Sequence, residues 1–314
     1  MTLSPNFALF VISRKSKIEK GCPATINQND CNLSFHRHRL LYYIFLFMHS
    51  KFITELKDTQ NERDHRRLAI DRVGVKDLRY PIQVLDKARD NQSTIACVSL
   101  TVDLPHHYKG THMSRFIEVL NEHGPVLHVD KIRKMTSELL ARLDAQKAHV
   151  DFEFPFFLEK KAPVTGAVGL MDYTVRFSAT LQKNEFDFVL TVIVPVTTLC
   201  PCSKAISDRG AHNQRGLVTY SIRYLQPIWI EDLIRLVESC ASSELFSLLK
   251  RPDEKAVTER AFDNPVFVED LVRSIAARSN AEPNITWYRV EAETFESIHN
   301  HNAYALIEKK APPS

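Results

Sequence analysis

The sequence predicts an α+β fold built from two similar halves, residues 62–184 and 185–314. Long segments alternate apolar and polar residues, which is typical of β-strands with one buried face. Segments with helical spacing occur together between the strands. Strands and helices do not alternate one by one, so we do not expect a doubly wound parallel sheet.

The first half predicts a strand, two helices and two further strands. Its beginning, from Glu62 to Leu85, is charged and then extended, and Pro81 prevents a helix there. The alternating or helical periodicity then defines a strand over Thr94–Asp103, helices over Met113–His123 and Asp130–Lys147, and strands around Val150–Phe154 and Tyr173–Ala179.

The second half predicts two strands, several helices and two closing strands. A tight turn at Asn184 makes a hairpin between the preceding strand and the segment Glu185–Val196. The remaining elements are a strand over Leu217–Tyr224, a helix over Trp229–Cys240, shorter helical pieces, a helix over Asn264–Arg278 with Pro265 in its first turn, and strands over Ile285–Glu293 and Tyr304–Glu308.

Residues 1–50 differ in composition from the rest of the 314-residue chain. They hold six basic and two acidic residues, so the remainder, with one more acidic than basic residue, is close to neutral despite the overall charge of +3. We expect a disordered extension here and a true start at Met48. The apolar run Leu40–Met48 is too short to span a bilayer, and the near-neutral body is not that of a nucleic-acid-binding protein.

Six scattered cysteines favour a reducing compartment, and we expect a cytoplasmic protein without a disulfide framework. Eight glycines, with neither a dinucleotide fingerprint nor a P-loop, exclude a glycine-rich phosphate site.

A loop with thiol and imidazole groups follows the most strand-like segment of the chain. Cys200 and Cys202 are one residue apart, and His212 follows twelve residues after Cys200. These side chains are ligands that zinc and similar divalent metals prefer. The Cys-x-Cys spacing is not that of a zinc ribbon, and the alternative, that both cysteines are ordinary core residues, stays open.

Carboxylates and further histidines in the second half could complete such a site. The candidates are the acidic pair Asp253 and Glu254, together with Glu269, Glu296, His299 and His301. A thiolate, an imidazole and a carboxylate leave a fourth metal position open to water, as in catalytic sites. Glu254 and Glu269, each taken alone, are more typical of solvated surface groups, and Glu296 and His299 are close enough in sequence to contact only each other. Spacing does not show that the segments converge. Three earlier histidines, at positions 106, 107 and 112, are more typical of a polar surface or a substrate cleft than of a metal site.

Three motifs together resemble the type IB GTP cyclohydrolases. They are Leu199–Lys204 with Gly210–Arg215, Lys109–Phe116, and Glu296–His301. The resemblance runs from about Arg66 to the C-terminus with the order of the motifs intact. It implies the tunnelling fold, in which tandem ββααββ units associate into a homo-oligomer, here expected to be a tetramer, with active sites between subunits. The implied reaction converts GTP and water to 7,8-dihydroneopterin triphosphate and formate, the first step of folate biosynthesis.

The resemblance also implies roles for individual residues. Cys200, His212 and Glu254 correspond to the ligands of a divalent metal, for which Zn²⁺, Mn²⁺ or Fe²⁺ are expected. Glu269 corresponds to the carboxylate that holds the guanine edge. Cys200, Glu296 and His299 are the predicted catalytic residues, the last two as a proton-transfer pair. The cations expected to bind the triphosphate are Lys204 and Arg215, with Lys109 and Arg115 as further candidates.

Two other functions remain open at this stage. One is a related enzyme of the tunnelling fold that acts on a purine or pterin through a nucleophilic cysteine, in the manner of a nitrile reductase. The other is a non-catalytic assembly module whose closed metal site uses both Cys200 and Cys202.

Overall fold

A computed structural model describes residues 58–60 and 62–309 of the chain. The chain divides into two units, residues 1–58 and 59–314, and almost all of the described residues belong to the second. The predicted extension over residues 1–50 and the predicted start at Met48 lie outside the described residues.

The second unit is an α+β domain, as predicted. Its elements are, in chain order, β1 (Ile70–Asp86), β2 (Asp90–Leu104), α1 (Met113–His123), β3 (Val126–Leu127), α2 (Val129–Leu143), β4 (Lys147–Lys161), β5 (Val168–Gln182), β6 (Glu185–Leu199), α3 (Pro201–Ile206), β7 (Asn213–Tyr224), α4 (Ile230–Glu238), β8 (Ser243–Glu244), α5 (Arg251–Asp263), α6 (Val268–Ala281), β9 (Ile285–Thr294) and β10 (Ala303–Glu308). Leaving aside the short elements and α5, the long strands and paired helices follow the order ββααββ twice, which is the arrangement expected of a tunnelling fold.

All long strands belong to one sheet with the order β10-β9-β7-β6-β5-β4-β2-β1-β3. Every pairing along this path is antiparallel except that of β1 with β3. The β5–β6 hairpin joins the two predicted halves, 62–184 and 185–314, within this sheet. The two halves therefore describe an internal repeat of one sheet. Lys183 and Asn184 both have positive φ, at 49° and 68°, as a two-residue hairpin turn requires.

One face of the sheet carries the hydrophobic core. Phe152 on β4 pairs with Val98 on β2 and with Phe177 on β5, and all three side chains are buried on the same face. The alternation continues across the sheet through Val192, Tyr220 and Val290. The helices cover this face with their own apolar sides, while the opposite face is mostly polar and partly exposed. The period-2 pattern of the sequence therefore corresponds directly to the two faces.

The structure corrects two local predictions. Residues 201–206 form the short helix α3, although the sequence indicated a loop there, because Cys200 caps the helix and Pro201 occupies its first position. Helix α6 begins at Val268, with Phe267 as its N-cap, so Pro265 precedes the helix and does not lie in its first turn. No helix of the described residues is long and apolar enough to cross a bilayer.

We expect Phe152→Ala to destabilise the fold by roughly 3–5 kcal/mol, because it removes a fully buried ring at the centre of the core. Ile95→Ala is a matched control on the exposed face of β2, where the side chain is 60% exposed and roughly 0.5 kcal/mol or less is expected. Chemical unfolding monitored by circular dichroism measures both. Equal effects of the two substitutions would contradict the one-sided core.

We expect a pH-dependent contribution to stability from His149. Burial and the neighbouring charges of Arg72 and Lys147 lower the pKa of His149 to about 4. In the unfolded chain this imidazole takes up its proton at a higher pH, so its contribution is complete above about pH 6.5 and is lost as the pH falls towards 4. The unfolding temperature of His149→Gln, compared with that of the parent at pH 7.5 and 4.5, isolates this contribution. A variant that loses as much stability as the parent over this interval would contradict it.

Candidate active site

The β6–β7 hairpin places Cys200 beside His212. The antiparallel ladder pairs Leu199 with Asn213, so the next residues on each strand face one another. The backbone N–H of Cys200 donates to the carbonyl oxygen of His212 at 3.1 Å. Cys200 and His212 are twelve residues apart in the sequence, but they are neighbours in the structure because both flank the end of one ladder.

Helix α3 orients the thiol within this hairpin. The Sγ atom of Cys200 accepts a hydrogen bond from the N–H of Ser203 at 3.4 Å, as the cap of the helix. The Ser203 hydroxyl accepts from the N–H of His212 at 3.2 Å and donates to the carbonyl oxygen of Cys200 at 3.2 Å. The serine therefore ties the thiol-bearing and imidazole-bearing segments together.

The β9–β10 hairpin brings Glu296, His299 and His301 to the same end of the sheet. Strand β9 lies beside β7, with Thr294 paired to Gly216, and the connection from β9 to β10 follows directly. The ring centroids of His212 and His299 are 6.4 Å apart, and those of His299 and His301 are 5.0 Å apart.

Glu296 has a defined orientation in this group. Its Oε1 atom accepts from the hydroxyl of buried Thr294 at 2.7 Å, and its Oε2 atom lies 3.9 Å from Nδ1 of His212. The carboxylate is therefore close enough to exchange protons with neighbouring groups through small movements.

Glu269 reaches the site from the first turn of α6. The N–H of Val266 donates to the carbonyl oxygen of Leu199 at 3.1 Å, which holds the start of this helix against the end of β6. The resulting cavity has a volume of about 240 Å³. Its lining comprises Cys200, His212, Gln214, Val266, Phe267, Val268, Glu269, Thr294, Glu296, His299, His301 and Ala303.

Glu254 is not among the residues that line the cavity. It is exposed in the first turn of α5. The rise of the helix places it about 13 Å from Asp263, the last residue of α5. The adjacent Asp253 is buried and accepts from the N–H groups of Val164, Thr165 and Lys250 at 2.8–2.9 Å. Burial alone would raise the pKa of Asp253, but these donors and the Thr165 hydroxyl outweigh it and hold the pKa well below its usual range. The carboxylate thus anchors this end of α5 to the β4–β5 turn.

The predicted cations also lie away from the cavity lining. The ammonium group of Lys204 contacts the Phe262 ring, 4.4 Å from its centroid, and donates to the Phe262 carbonyl oxygen. Arg215 follows Gln214 on β7, so its exposed side chain points to the opposite face of the strand.

The two further cation candidates have other partners. Lys109 pairs with Glu62 at 2.7 Å, and Arg115 donates to the Arg142 carbonyl oxygen at 2.7 Å.

Gln214 also lines the cavity, although the predicted site residues do not include it. Its side chain is 9% exposed and contacts both His212 and Thr198. The sequence does contain an indication of this role. Gln214 places an amide at an inward position of β7, on the same face as the buried side chains of Val218, Tyr220 and Ile222. A polar group at such a position requires hydrogen-bond partners.

A larger cavity, of about 580 Å³, lies elsewhere and does not contain these groups. Several of its charged groups already pair with one another: Lys160 pairs with Glu238 at 2.7 Å and with Glu244 at 2.9 Å. The Tyr173 hydroxyl also donates to Glu238. Size alone therefore does not identify the reactive site of this chain.

The donor set of the smaller cavity fits a borderline divalent metal. Cys200 provides sulfur and His212 provides nitrogen, the combination found in catalytic zinc sites. Within residues 58–60 and 62–309, no group of three His, Cys, Asp or Glu side chains has a geometry that could hold a metal ion. A metal held by Cys200 and His212 would therefore need a third ligand from outside the described part of this chain.

A thiol, imidazoles and carboxylates around one cavity are the donor groups typical of hydrolytic enzymes that use a metal with a position open to water. The family model GCHY-1, described as type I GTP cyclohydrolase folE2, matches residues 56–305. A GTP cyclohydrolase FolE2 from Akkermansia muciniphila is 65% identical over 258 residues, which cover 81% of this chain and 98% of the relative. Another FolE2, from Syntrophotalea carbinolica, is 55% identical and covers 81% of this chain and 95% of the relative.

The chain belongs to the type I GTP cyclohydrolase folE2 family. The predicted resemblance to GTP cyclohydrolases is thereby confirmed, and the match is specific for the FolE2 branch.

Solved structures of urate oxidases resemble the chain at low sequence identity. The uricase from Arthrobacter globiformis is 8% identical, with a TM-score of 0.45, and covers 78% of this chain and 95% of its own. A urate oxidase from Bacillus sp. TB-90 gives 8% identity and a TM-score of 0.47.

We expect the two cysteines of the motif to differ in metal binding. Cys202 is exposed on α3 and is not part of the cavity lining, whereas Cys200 is. Cys200→Ser should therefore lower the affinity for Zn²⁺ at least tenfold, and Cys202→Ser should leave it unchanged within about threefold. Competition with a chromogenic chelator measures both dissociation constants. Comparable losses from the two substitutions would instead indicate a closed site that uses both thiols.

Proposed function

We propose that the protein is a metal-dependent GTP cyclohydrolase that converts GTP and water to 7,8-dihydroneopterin triphosphate and formate, the first step of folate biosynthesis. The observation that carries the proposal is the convergence of Cys200, His212, Glu269, Glu296 and His299 on one cavity. These are five of the six residues that the sequence predicts for metal, guanine and proton transfer, and they come from three separate parts of the chain.

In this proposal Cys200 and His212 hold the metal together with Glu254 of a neighbouring subunit. Glu254 does not line the cavity of its own chain, which supports a role for this carboxylate at the cavity of a neighbour. A bound divalent ion supplies Lewis acidity and lowers the pKa of a water molecule towards neutrality. Zn²⁺, Mn²⁺ and Fe²⁺ all accept a sulfur, nitrogen and oxygen donor set, so the donors leave the physiological metal open.

The remaining residues bind the base and move protons. Glu269 accepts hydrogen bonds from guanine N1–H and the 2-amino group, a donor pair that adenine lacks. Glu296 and His299 transfer protons to the ring nitrogens that leave C8 as the five-membered ring opens and formate departs. Because the Thr294 hydroxyl holds one oxygen of Glu296, the other oxygen is oriented for this transfer.

An oligomer with shared sites accompanies this function. A cavity of about 240 Å³ is smaller than the pockets of about 300–1,000 Å³ that usually enclose small molecules, so a second subunit is needed to enclose GTP. Large apolar side chains remain exposed on segments that border the cavity: Phe262 38%, Phe267 37%, Phe295 41% and Ile298 65%. Such side chains are typical of an interface, and we propose a homo-oligomer, with a tetramer as the expected size.

The triphosphate requires cations from the same interface. Lys204 and Arg215 remain the proposed ligands, with Lys109 and Arg115 as further candidates, although in a single chain none of them lines the cavity. Arg215 is exposed and has no ion-pair partner among the described residues, so it is available to an anion bound between subunits.

A cytoplasmic location is part of the proposal, because the thiol of Cys200 must remain reduced to act as a ligand. The described cysteines, Cys97, Cys200, Cys202 and Cys240, are all free thiols.

The activity is tested by incubating purified protein with GTP and Mn²⁺, oxidising the product and detecting neopterin by its fluorescence. We expect product with GTP but not with ATP, and loss of product after chelation. Activity that survives metal removal and requires NADPH would contradict the proposal and favour the nitrile-reductase-like alternative.

The shared metal site is tested by mixing subunits. Cys200→Ala and Glu254→Gln should each be inactive alone, because each lacks one ligand. When the two variants are co-expressed, roughly a quarter of the sites regain both native residues if Glu254 acts across an interface. No regain of activity in oligomers shown to be mixed would place both ligands in one chain. As a control, mixing Cys200→Ala with His212→Ala should restore nothing.

A further inference from the structure

A short chain of hydrogen bonds leads from β6 to the imidazole of His212. Gln214 lies between two partners: its Nε2 atom donates to Oγ1 of Thr198 at 3.1 Å, and its Oε1 atom lies 2.9 Å from Nδ1 of His212. Thr198 is 1% exposed and Gln214 is 9% exposed. Both side chains are held in register because β6 and β7 pair Thr198 directly with Gln214.

The surroundings of Nδ1 favour a proton on that nitrogen. The amide oxygen of Gln214 accepts hydrogen bonds only, and a second oxygen, Oε2 of Glu296, lies 3.9 Å from the same nitrogen. With two oxygens facing Nδ1, a lone pair on that nitrogen would meet other lone pairs. A proton on Nδ1 instead forms a hydrogen bond with Gln214.

The opposite nitrogen is then left free. A neutral imidazole carries one proton, so protonation at Nδ1 leaves the lone pair on Nε2. Nε2 of His212 has no hydrogen-bond partner among residues 58–60 and 62–309. The nitrogen that a metal would need is therefore the one that no other group of the described chain occupies.

We infer that Gln214 is a positioning residue that selects the Nδ1–H tautomer of His212 and thereby presents Nε2 to the metal. Thr198 acts one step further away, because its hydroxyl keeps the amide oriented with the oxygen towards the ring. The part of this inference that concerns the metal rests on the proposed function. The part that concerns the tautomer rests on the hydrogen bonds alone. Outer partners of this kind typically change metal affinity by about 10–100-fold.

The tautomer is measured first, in the metal-free protein. Solid-state ¹⁵N spectra of histidine-labelled protein distinguish Nδ1–H from Nε2–H, and the His212 signals are assigned by difference from His212→Asn. We expect mainly Nδ1–H in the parent protein and a clear shift towards Nε2–H in Gln214→Met, which keeps the side-chain length but has no amide oxygen. Mainly Nε2–H in the parent would overturn the inference.

Metal affinity is the second readout, with Zn²⁺ alone as the probe and a chromogenic chelator as competitor. Gln214→Met should raise the dissociation constant by about 10–100-fold, whereas Gln214→Glu, which retains an acceptor for Nδ1–H, should change it by less than about tenfold. Thr198→Val should weaken binding, and Thr198→Ser, which restores the hydroxyl, should rescue it. Circular dichroism verifies that each variant is folded.

The two proposals fail in different ways. If Cys200→Ala weakens Zn²⁺ binding but Gln214→Met does not, the role of Gln214 is wrong and the metal site stands. If neither substitution weakens binding, the metal site is wrong, and the tautomer in the ¹⁵N spectra still decides whether Gln214 selects the proton position.

Discussion

The register of the β6–β7 hairpin is the constraint on which the rest of the site depends. Pairing of Leu199 with Asn213 sets Cys200 against His212, and pairing of Thr198 with Gln214 sets the amide behind the imidazole. A shift of one residue in this ladder would exchange the two faces of β7 and turn Gln214 away from Thr198. The buried residues Val218, Tyr220 and Ile222 prevent such a shift, because it would expose them. Core packing far from the cavity therefore fixes the chemistry at the end of the strands.

The first half of the chain contacts the second half through the connection between β4 and β5. The β4–β5 turn donates hydrogen bonds from Val164 and Thr165 to the buried carboxylate of Asp253. Nearby, Gly169 lies so close to Ser247 that a Cβ atom would come within 2.5 Å of the serine hydroxyl. These contacts fix the helix that carries Glu254. The metal site proposed between subunits would thus depend on how the two halves of each chain are joined.

Much of the fold was predictable because its patterns are local. Alternation identified the faces of β5, β6 and β7, and helical spacing placed α1 within its observed bounds. The short helix after Cys200 was not predictable from spacing, since its six residues are fewer than two turns and the cap is a thiol. The start of α6 was misplaced because Pro265 is compatible with a first helical turn, whereas the contact of Val266 with Leu199 decides where the turn begins.

The sequence by itself determined the residue types of the site, the strands that end beside them and the family to which the chain belongs. Only the tertiary structure decided which of these residues meet: Glu269, Glu296 and His299 join Cys200 and His212, while Glu254 and Lys204 do not line the same cavity. The reason is that strand alternation is encoded within a few neighbouring residues, whereas the meeting of two hairpins and a helix depends on the order of strands in the sheet. Gln214 is an example. The sequence shows that it lies at an inward position of a strand, but it does not show that Thr198 and His212 are its hydrogen-bond partners.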